Sequence, residues 1–210
     1  MYEATVILTA FFMMLSAVYY VRCALAGKSN PVPATWILML VVMGLSFWMY
    51  FESPHRSWTA NIAVTAGVFN VWYILCGVVL ANHKHGTLRI AFDRPQIFCS
   101  VAGGVVVGFW FLTDRPLNAY TLVQIIALIA YVATIRRLLK VTKSTEPMFQ
   151  WVAVLIATIF AIYPAWERMD PFSWIYLARA LPSTALMVFL IGRIKWRTWL
   201  QGCELADMMA

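Results

Sequence analysis

Residues 30–51 read NPVPATWILMLVVMGLSFWMYF, a run of 22 positions without a charged side chain between Lys28 and Glu52. At 1.5 Å per residue, a helix of this length covers about 33 Å, enough to cross the roughly 30 Å hydrocarbon core of a bilayer. Lipid offers the backbone no hydrogen-bond partners, so spanning segments are helices or closed barrels, and runs this long exclude a barrel. The run therefore predicts a transmembrane helix.

Six further charge-poor runs extend this interpretation to the whole chain. Hydrophobic residues make up 62% of the sequence and charged residues only 12%, half the usual share of a soluble domain. The chain is therefore predicted to be an all-α, polytopic membrane protein with seven transmembrane segments, numbered 1 to 7 in chain order. They cover residues 4–21, 30–51, 57–83, 95–113, 116–135, 147–166 and 171–192.

The basic residues predict the orientation of these segments. With the N-terminus outside, 12 of the 16 Lys and Arg residues fall on the inner side and 4 on the outer side. Short cytoplasmic loops carry an excess of Lys and Arg, so we expect an N-out, C-in protein of the plasma or inner membrane. The net charge of +7 then needs no nucleic-acid partner, because anionic lipid headgroups are sufficient contacts.

An internal repeat is visible when the chain is shifted by 115 residues. Segments 1 and 5 run in the same direction, so segments 1–3 and 5–7 form a parallel repeat about segment 4, a known transporter architecture. The alternative is seven independent helices with chance similarity. The identical pairs are Arg22/Arg137, Lys28/Lys143, Ser29/Ser144, Trp36/Trp151, Leu40/Leu155 and Glu52/Glu167.

The three-one-three plan, with a proline-containing loop after the first helix of each repeat, resembles the SWEET and PQ-loop superfamily of transporters. The run KSNPVPATW (28–36) and the stretches 110–116 and 134–151 are similar to small bacterial SWEET-like membrane proteins. The resemblance implies repeats at 1–83 and 116–197, a linker helix at 84–115 and a short cytoplasmic tail at 198–210. It also implies a solute site between the repeats.

Two features depart from that family pattern. The Pro-Gln dipeptide that names the PQ-loop is missing from both repeats, since Met148 follows Pro147, and its one occurrence is Pro95-Gln96. SWEET sugar carriers present an asparagine from the third helix of each repeat. Asn70 fits this position, whereas the shift of 115 sets Ala185 opposite it, so the resemblance does not extend to sugar recognition.

Five residues are candidates to line a solute site between the repeats. Asn70 is an amide within an apolar span, so we expect it either to bind solute or to form a hydrogen bond between helices. Aromatic planes suit stacking on a flat solute, although interior packing is an equal alternative. The predicted lining is Asn70, Trp48, Trp72, Tyr163 and Ser183.

Arg179 is the only strongly charged residue inside an apolar span, and intramembrane charges are functional hypotheses by default. We expect an ion pair with Glu167 or Glu52 that latches an outer gate, or a side chain that snorkels to the interface. The other interpretation is a binding group for the anionic part of a solute.

Proline and glycine residues suggest mobile and closely packed positions. Pro164 and Pro182 lie inside segments 6 and 7 and are predicted hinges, because each removes a helical hydrogen bond. Gly103, Gly104 and Gly108 of segment 4 form a small-residue face that predicts close helix packing.

The function predicted from these features is facilitative transport of a small polar or neutral solute by alternating access. The alternative is a non-transporting membrane scaffold or accessory subunit, and a homo-oligomer is compatible with both. The sequence contains no nucleophile–base arrangement and no cluster of metal ligands, so neither an enzyme nor a metal or other cofactor is expected.

Overall fold

A computed structural model describes residues 1–29, 31–88, 90, 92, 94–140 and 146–207. The regular elements of this part of the chain are helices, and they provide six spans long and apolar enough to cross a membrane, one of which consists of two consecutive helices over Met148–Glu167. The chain thus has the helices of a multi-pass membrane protein. The eight helices are α1 (Tyr2–Leu25), α2 (Pro33–Phe51), α3 (Ile62–Lys84), α4 (Arg94–Thr113), α5 (Pro116–Lys140), α6 (Met148–Phe160), α7 (Ile162–Glu167) and α8 (Pro171–Asp207).

Proline marks where several helices begin. Pro33, Pro116 and Pro171 are the first residues of α2, α5 and α8. The first helical position needs no backbone N–H donor, and the fixed φ of proline suits the helix there. Segment 6 differs from its prediction, because it divides at Ala161 into α6 and the short α7.

Glycine ends α1 and α3. Gly27 and Gly86 adopt left-handed φ values of +68° and +64°. After α1, the Lys28 N–H donates to the Cys23 carbonyl at 2.9 Å and the Gly27 N–H to the Ala24 carbonyl at 3.0 Å. This is the Schellman arrangement, which satisfies carbonyls left free at a helix end.

Tertiary hydrogen bonds place the helix ends in two groups. At one end, Tyr2 Oη donates to Thr59 Oγ1 at 2.9 Å and Ser173 Oγ donates to the Ala60 carbonyl at 3.0 Å. These bonds join the beginnings of α1, α3 and α8 to the chain that follows α2, and this side is called the Glu52 end below.

At the opposite end, called the Lys28 end below, hydrogen bonds join the end of α3 to the chain before α2 and the start of α4 to the start of α2. Asn82 Nδ2 donates to the Pro31 carbonyl at 3.2 Å, and Gln96 Nε2 donates to Thr35 Oγ1 at 3.0 Å.

The helices pack in a defined order. α1 packs mainly on α3 and α6, whereas α2 packs mainly on α3 and α5. α8 lies against α6 and α5, and α4 covers α5 and part of α2. The largest buried cluster lies where α2, α3, α5 and α8 meet, and it includes Tyr50, Tyr120, Phe172 and Tyr176.

Close packing involves a different glycine from those expected. A Cβ atom on Gly77 of α3 would lie 2.3 Å from a methyl carbon of Val21 on α1. Added Cβ atoms on Gly104 and Gly108 of α4 would meet nothing within 4 Å among the described residues, and Gly103 would meet only Leu45 at 4.0 Å. The prediction of tight packing at the α4 glycines is therefore wrong within this chain.

Part of the expected repeat lies outside the described residues. Lys143 and Ser144 belong to residues 141–145, and the side chain of Arg137 is likewise not described. The identities of these three residues with Arg22, Lys28 and Ser29 are therefore seen in the sequence only.

Candidate functional site

A chain of buried polar side chains connects α8, α5 and α2. Arg179 Nε donates to Gln124 Oε1 at 3.0 Å, and Gln124 Nε2 donates to Ser46 Oγ at 2.8 Å. Ser46 Oγ in turn donates to the Val42 carbonyl at 2.8 Å within α2. Arg179, Gln124 and Ser46, together with Tyr131 and Tyr176, are called the Arg179 cluster below.

The cluster lies well inside the bundle. Arg179 and Gln124 each follow the first residue of their helix by eight positions, which corresponds to about 12 Å along the axis. Ser46 lies five positions before the end of α2, or about 8 Å. Both helix starts and the α2 end belong to the Glu52 end, so the three side chains meet at similar depth.

Two tyrosine rings flank the Arg179 guanidinium. Its central carbon lies 4.7 Å from the centroid of the Tyr176 ring and 5.7 Å from that of Tyr131. Each such contact stabilises a cation by about 0.5–2 kcal/mol, whereas removing an ion from water costs several kcal/mol. The tyrosine side chains and the Gln124 hydrogen bond therefore offset only part of the cost of burying this charge.

One edge of the guanidinium has no acceptor. Arg179 is 8% exposed, and its Nη2 atom is buried without a hydrogen-bond partner among the described residues. Because the protein leaves a charged donor free at this position, Nη2 of Arg179 can donate a hydrogen bond to an anion.

A second free donor lies beside the same tyrosine. The Trp151 ring contacts the Tyr131 ring at a centroid distance of 6.2 Å, and Trp151 Nε1 has no partner among the described residues. Its counterpart in the shifted alignment, Trp36, donates its Nε1 proton to Tyr20 Oη at 3.3 Å. Trp36 therefore has a hydrogen-bond partner, whereas Trp151, which packs on Tyr131, has none among the described residues.

Aromatic side chains close the bundle between the cluster and the Glu52 end. Phe172 packs on Tyr50 and Tyr120 with centroid distances of 5.6 and 5.0 Å, and all three are buried. Asn61 Nδ2 donates to Tyr120 Oη at 3.4 Å. Asp170 accepts hydrogen bonds from the backbone N–H groups of residues 172 and 173 and so caps α8.

Asn70 lies away from this cluster. Its Nδ2 donates to the Met13 carbonyl and, at 2.7 Å, to Ser16 Oγ. Both partners belong to α1, so the amide joins α3 to α1. This geometry is the helix–helix hydrogen bond that was the alternative to solute binding.

The other four predicted lining residues are dispersed. Trp48 and Trp72 are 44% and 55% exposed, and Trp48 packs at its edge on Trp110 of α4 at 5.1 Å. Tyr163 is half-buried in α7. Ser183 is buried on α8, four positions after Arg179 and thus on the same side of that helix.

The predicted ion pair of Arg179 is wrong for this conformation. Glu52 and Glu167 are both exposed at the Glu52 end, and the guanidinium contacts Gln124 and the two tyrosines instead. The physical reason is depth, since Arg179 lies about 12 Å along α8 from the end where these carboxylates lie.

The two prolines differ in their effect on the backbone. Pro164 lies in α7, three residues after the break at Ala161, whereas Pro182 lies inside an α8 that continues without interruption. In a regular α-helix the missing N–H of Pro182 would have bonded to the Ala178 carbonyl, next to Arg179. Hinge motion at either proline stays a prediction.

Within the described residues, no group of three or more His, Cys, Asp or Glu side chains is placed to hold a metal ion. Comparisons with protein-family models, with curated proteins and with solved structures found no match to this chain.

Proposed function

We propose that the chain is a facilitative carrier of a small polar solute that works by alternating access, with its binding site at the Arg179 cluster. The observation that carries the proposal is the buried guanidinium of Arg179, whose Nη2 has no partner among the described residues. Burying a charged donor without an acceptor is unfavourable, so its presence is best explained by a ligand. In this proposal, the Arg179 cluster takes the place of the solute site that was predicted around Asn70 and Trp72.

The seven-helix, three-one-three arrangement is part of this proposal. If α1–α3 and α5–α8 are repeats, α1 corresponds to α5, α2 to α6 with α7, and α3 to α8. In each set the third element packs on both others, and between the sets α1 packs on α6 as α2 packs on α5. Such reciprocal contacts are what a twofold axis produces, and they support the arrangement.

The position of the cluster supports alternating access. Ser46 belongs to the first proposed repeat and Gln124 and Arg179 to the second, so the Gln124–Ser46 hydrogen bond crosses the boundary between the two halves. A rocking motion of one half against the other would open this boundary. The resemblance to SWEET and PQ-loop carriers supports the same mechanism, in an N-out, C-in protein of the plasma or inner membrane.

A non-transporting scaffold is the second candidate. The exposure of Trp48 and Trp72 favours it, because these rings are free to contact lipid or another membrane protein and do not line an interior site. The scaffold hypothesis predicts that the Arg179 cluster remains sealed in every state of the protein.

Cysteine accessibility separates the two candidates without knowledge of the solute. In a background with Cys23, Cys76, Cys99 and Cys203 replaced by alanine, Ser46→Cys and Ser183→Cys would be treated with a membrane-impermeant thiol reagent from each side. Ser46 belongs to the Arg179 cluster and Ser183 lies one turn from Arg179, so the two are called the cluster cysteines here. The control is Ala157→Cys, a buried position where α6 packs in the main core outside the cluster.

A carrier is expected to expose both cluster cysteines to the reagent from at least one side, while residue 157 stays unmodified. Protection of both cluster positions from both sides, with the protein monodisperse, would contradict the carrier and favour the scaffold.

A further inference from the structure

We infer that the solute is a small monocarboxylate anion whose carboxylate binds the free edge of Arg179. The inference rests on the proposed carrier function, because only a protein that opens lets an anion reach this buried group. The Arg179 cluster contains one cationic side chain and otherwise the neutral Gln124, Ser46, Tyr131 and Tyr176.

Charge balance selects an anion of one negative charge. A neutral hydroxylated solute would leave the guanidinium charge uncompensated in a low-dielectric interior, and a dianion would replace one uncompensated charge by another. Asp170, the buried carboxylate of the same helix, lies nine positions before Arg179, or about 13 Å along the axis. It is engaged in capping α8.

The chemistry of the guanidinium favours a carboxylate among monoanions. A guanidinium presents N–H donors in a planar fork that matches the two oxygens of a carboxylate. The Nε donor of Arg179 is bonded to Gln124, which fixes the plane of the group and leaves Nη2 to donate to one oxygen of the ligand. Trp151 Nε1, which has no partner among the described residues, is a further donor beside the Tyr131 ring.

The size of the anion follows from the lining. Tyr131 and Tyr176 both contact the guanidinium and are buried, so a ligand at this group would lie among aromatic rings. Small aliphatic carboxylates suit these surroundings better than sugar acids, whose hydroxyl groups would each need a partner.

The test measures binding of L-lactate to the purified full-length protein by calorimetry and by thermal shift. Lactamide, which is neutral and of the same size, and sodium chloride at equal ionic strength are the ligand controls. We expect a saturable thermal shift with lactate alone. An equal shift with lactamide or with chloride would overturn the assignment of a carboxylate.

Two variants locate the site. Arg179→Gln removes the charge, and Gln124→Glu places a carboxylate beside it with nearly unchanged shape; each is expected to weaken lactate binding at least tenfold. Gln124→Glu is also expected to raise the thermal midpoint without ligand, so it remains informative if Arg179→Gln does not fold. The matched control is Arg168→Gln, an exposed arginine at the Glu52 end. Unchanged affinity in Gln124→Glu would overturn the inference.

Flux measurements in proteoliposomes separate this inference from the proposed function. Lactate binding without lactate flux would support the anion site and contradict the carrier function. Flux of glucose without lactate binding would keep the carrier and reject the anion site.

Discussion

Arg179 shows at the residue scale what a sequence reveals and what it hides. A charge within an apolar run is visible without a structure, and its functional importance was predicted on that ground. Its partner was not predictable, because Gln124 is 55 positions away on another helix and a glutamine within an apolar segment carries no distinctive signal. The expectation of a carboxylate partner followed from charge alone and overlooked depth.

Tyr131, Tyr176 and Ser46 were missed for a related reason. Aromatic and hydroxyl residues are common in membrane helices, and which of them face a given charge depends on how the helices are rotated about their axes. Conversely, Trp48 and Trp72 were chosen for their chemistry, and the structure places both on the outside of the bundle.

Asn70 is expected to contribute to stability and not to ligand binding. Asn70→Ala removes the hydrogen bonds to the Met13 carbonyl and Ser16 Oγ, and interhelical hydrogen bonds in membranes contribute about 0.6 kcal/mol on average. The thermal midpoint of the purified protein should therefore fall slightly, with lactate affinity unchanged. Asn118→Ala, at an exposed position of α5, is the control and should leave both unchanged.

At the scale of the elements, the sequence predicted helix starts better than helix ends. Pro33, Pro116 and Pro171 mark starts because proline is favoured at the first helical position. The end of α8 was placed at residue 192, where the charge-poor run stops, yet α8 continues to Asp207. Charge marks the boundary of the hydrocarbon, and a helix can extend beyond it.

The break between α6 and α7 was anticipated only in part. Pro164 indicated a disturbed helix, and the interruption falls at Ala161, one turn before it. A proline removes the hydrogen bond to the carbonyl four residues earlier, so its effect lies on the N-terminal side.

The contact between α1 and α3 at Gly77 gives a prediction for helix packing. Gly77→Ala would bring a Cβ atom within 2.3 and 2.5 Å of the Val21 methyl carbons and 2.9 Å of its Cβ. Val21 is β-branched and cannot rotate away freely, so we expect a loss of about 1–3 kcal/mol, the usual range for overpacking. The thermal midpoint measures this loss.

Gly104→Ala in α4 is the matched control, because its added Cβ meets nothing within 4 Å among the described residues. It should be neutral or slightly stabilising, since alanine is the better helix former. A drop in midpoint for Gly104→Ala equal to that of Gly77→Ala would contradict the close approach at Val21.

At the scale of the whole molecule, the sequence predicted seven spanning segments, and six spans in the described part of the chain are long and apolar enough, whereas Pro116–Ile129 of α5 is shorter. The order of the repeats stays a proposal, and the site depended on the packing. Counting Lys and Arg in loops needs no knowledge of which helices are neighbours. The Arg179 cluster, by contrast, exists only because α2, α5 and α8 meet, with α2 in one proposed repeat and the other two in the second.

The orientation of the whole molecule is the remaining prediction. His55, in the loop after α2, and His85, at the end of α3, are both exposed and lie at the Glu52 and Lys28 ends. In the background without native cysteines, N-out topology predicts that His55→Cys in intact cells reacts with an impermeant thiol reagent. His85→Cys should react only after the membrane is permeabilised. The basis is the excess of 12 inner over 4 outer basic residues, so the reverse labelling pattern would show that this excess does not orient the chain.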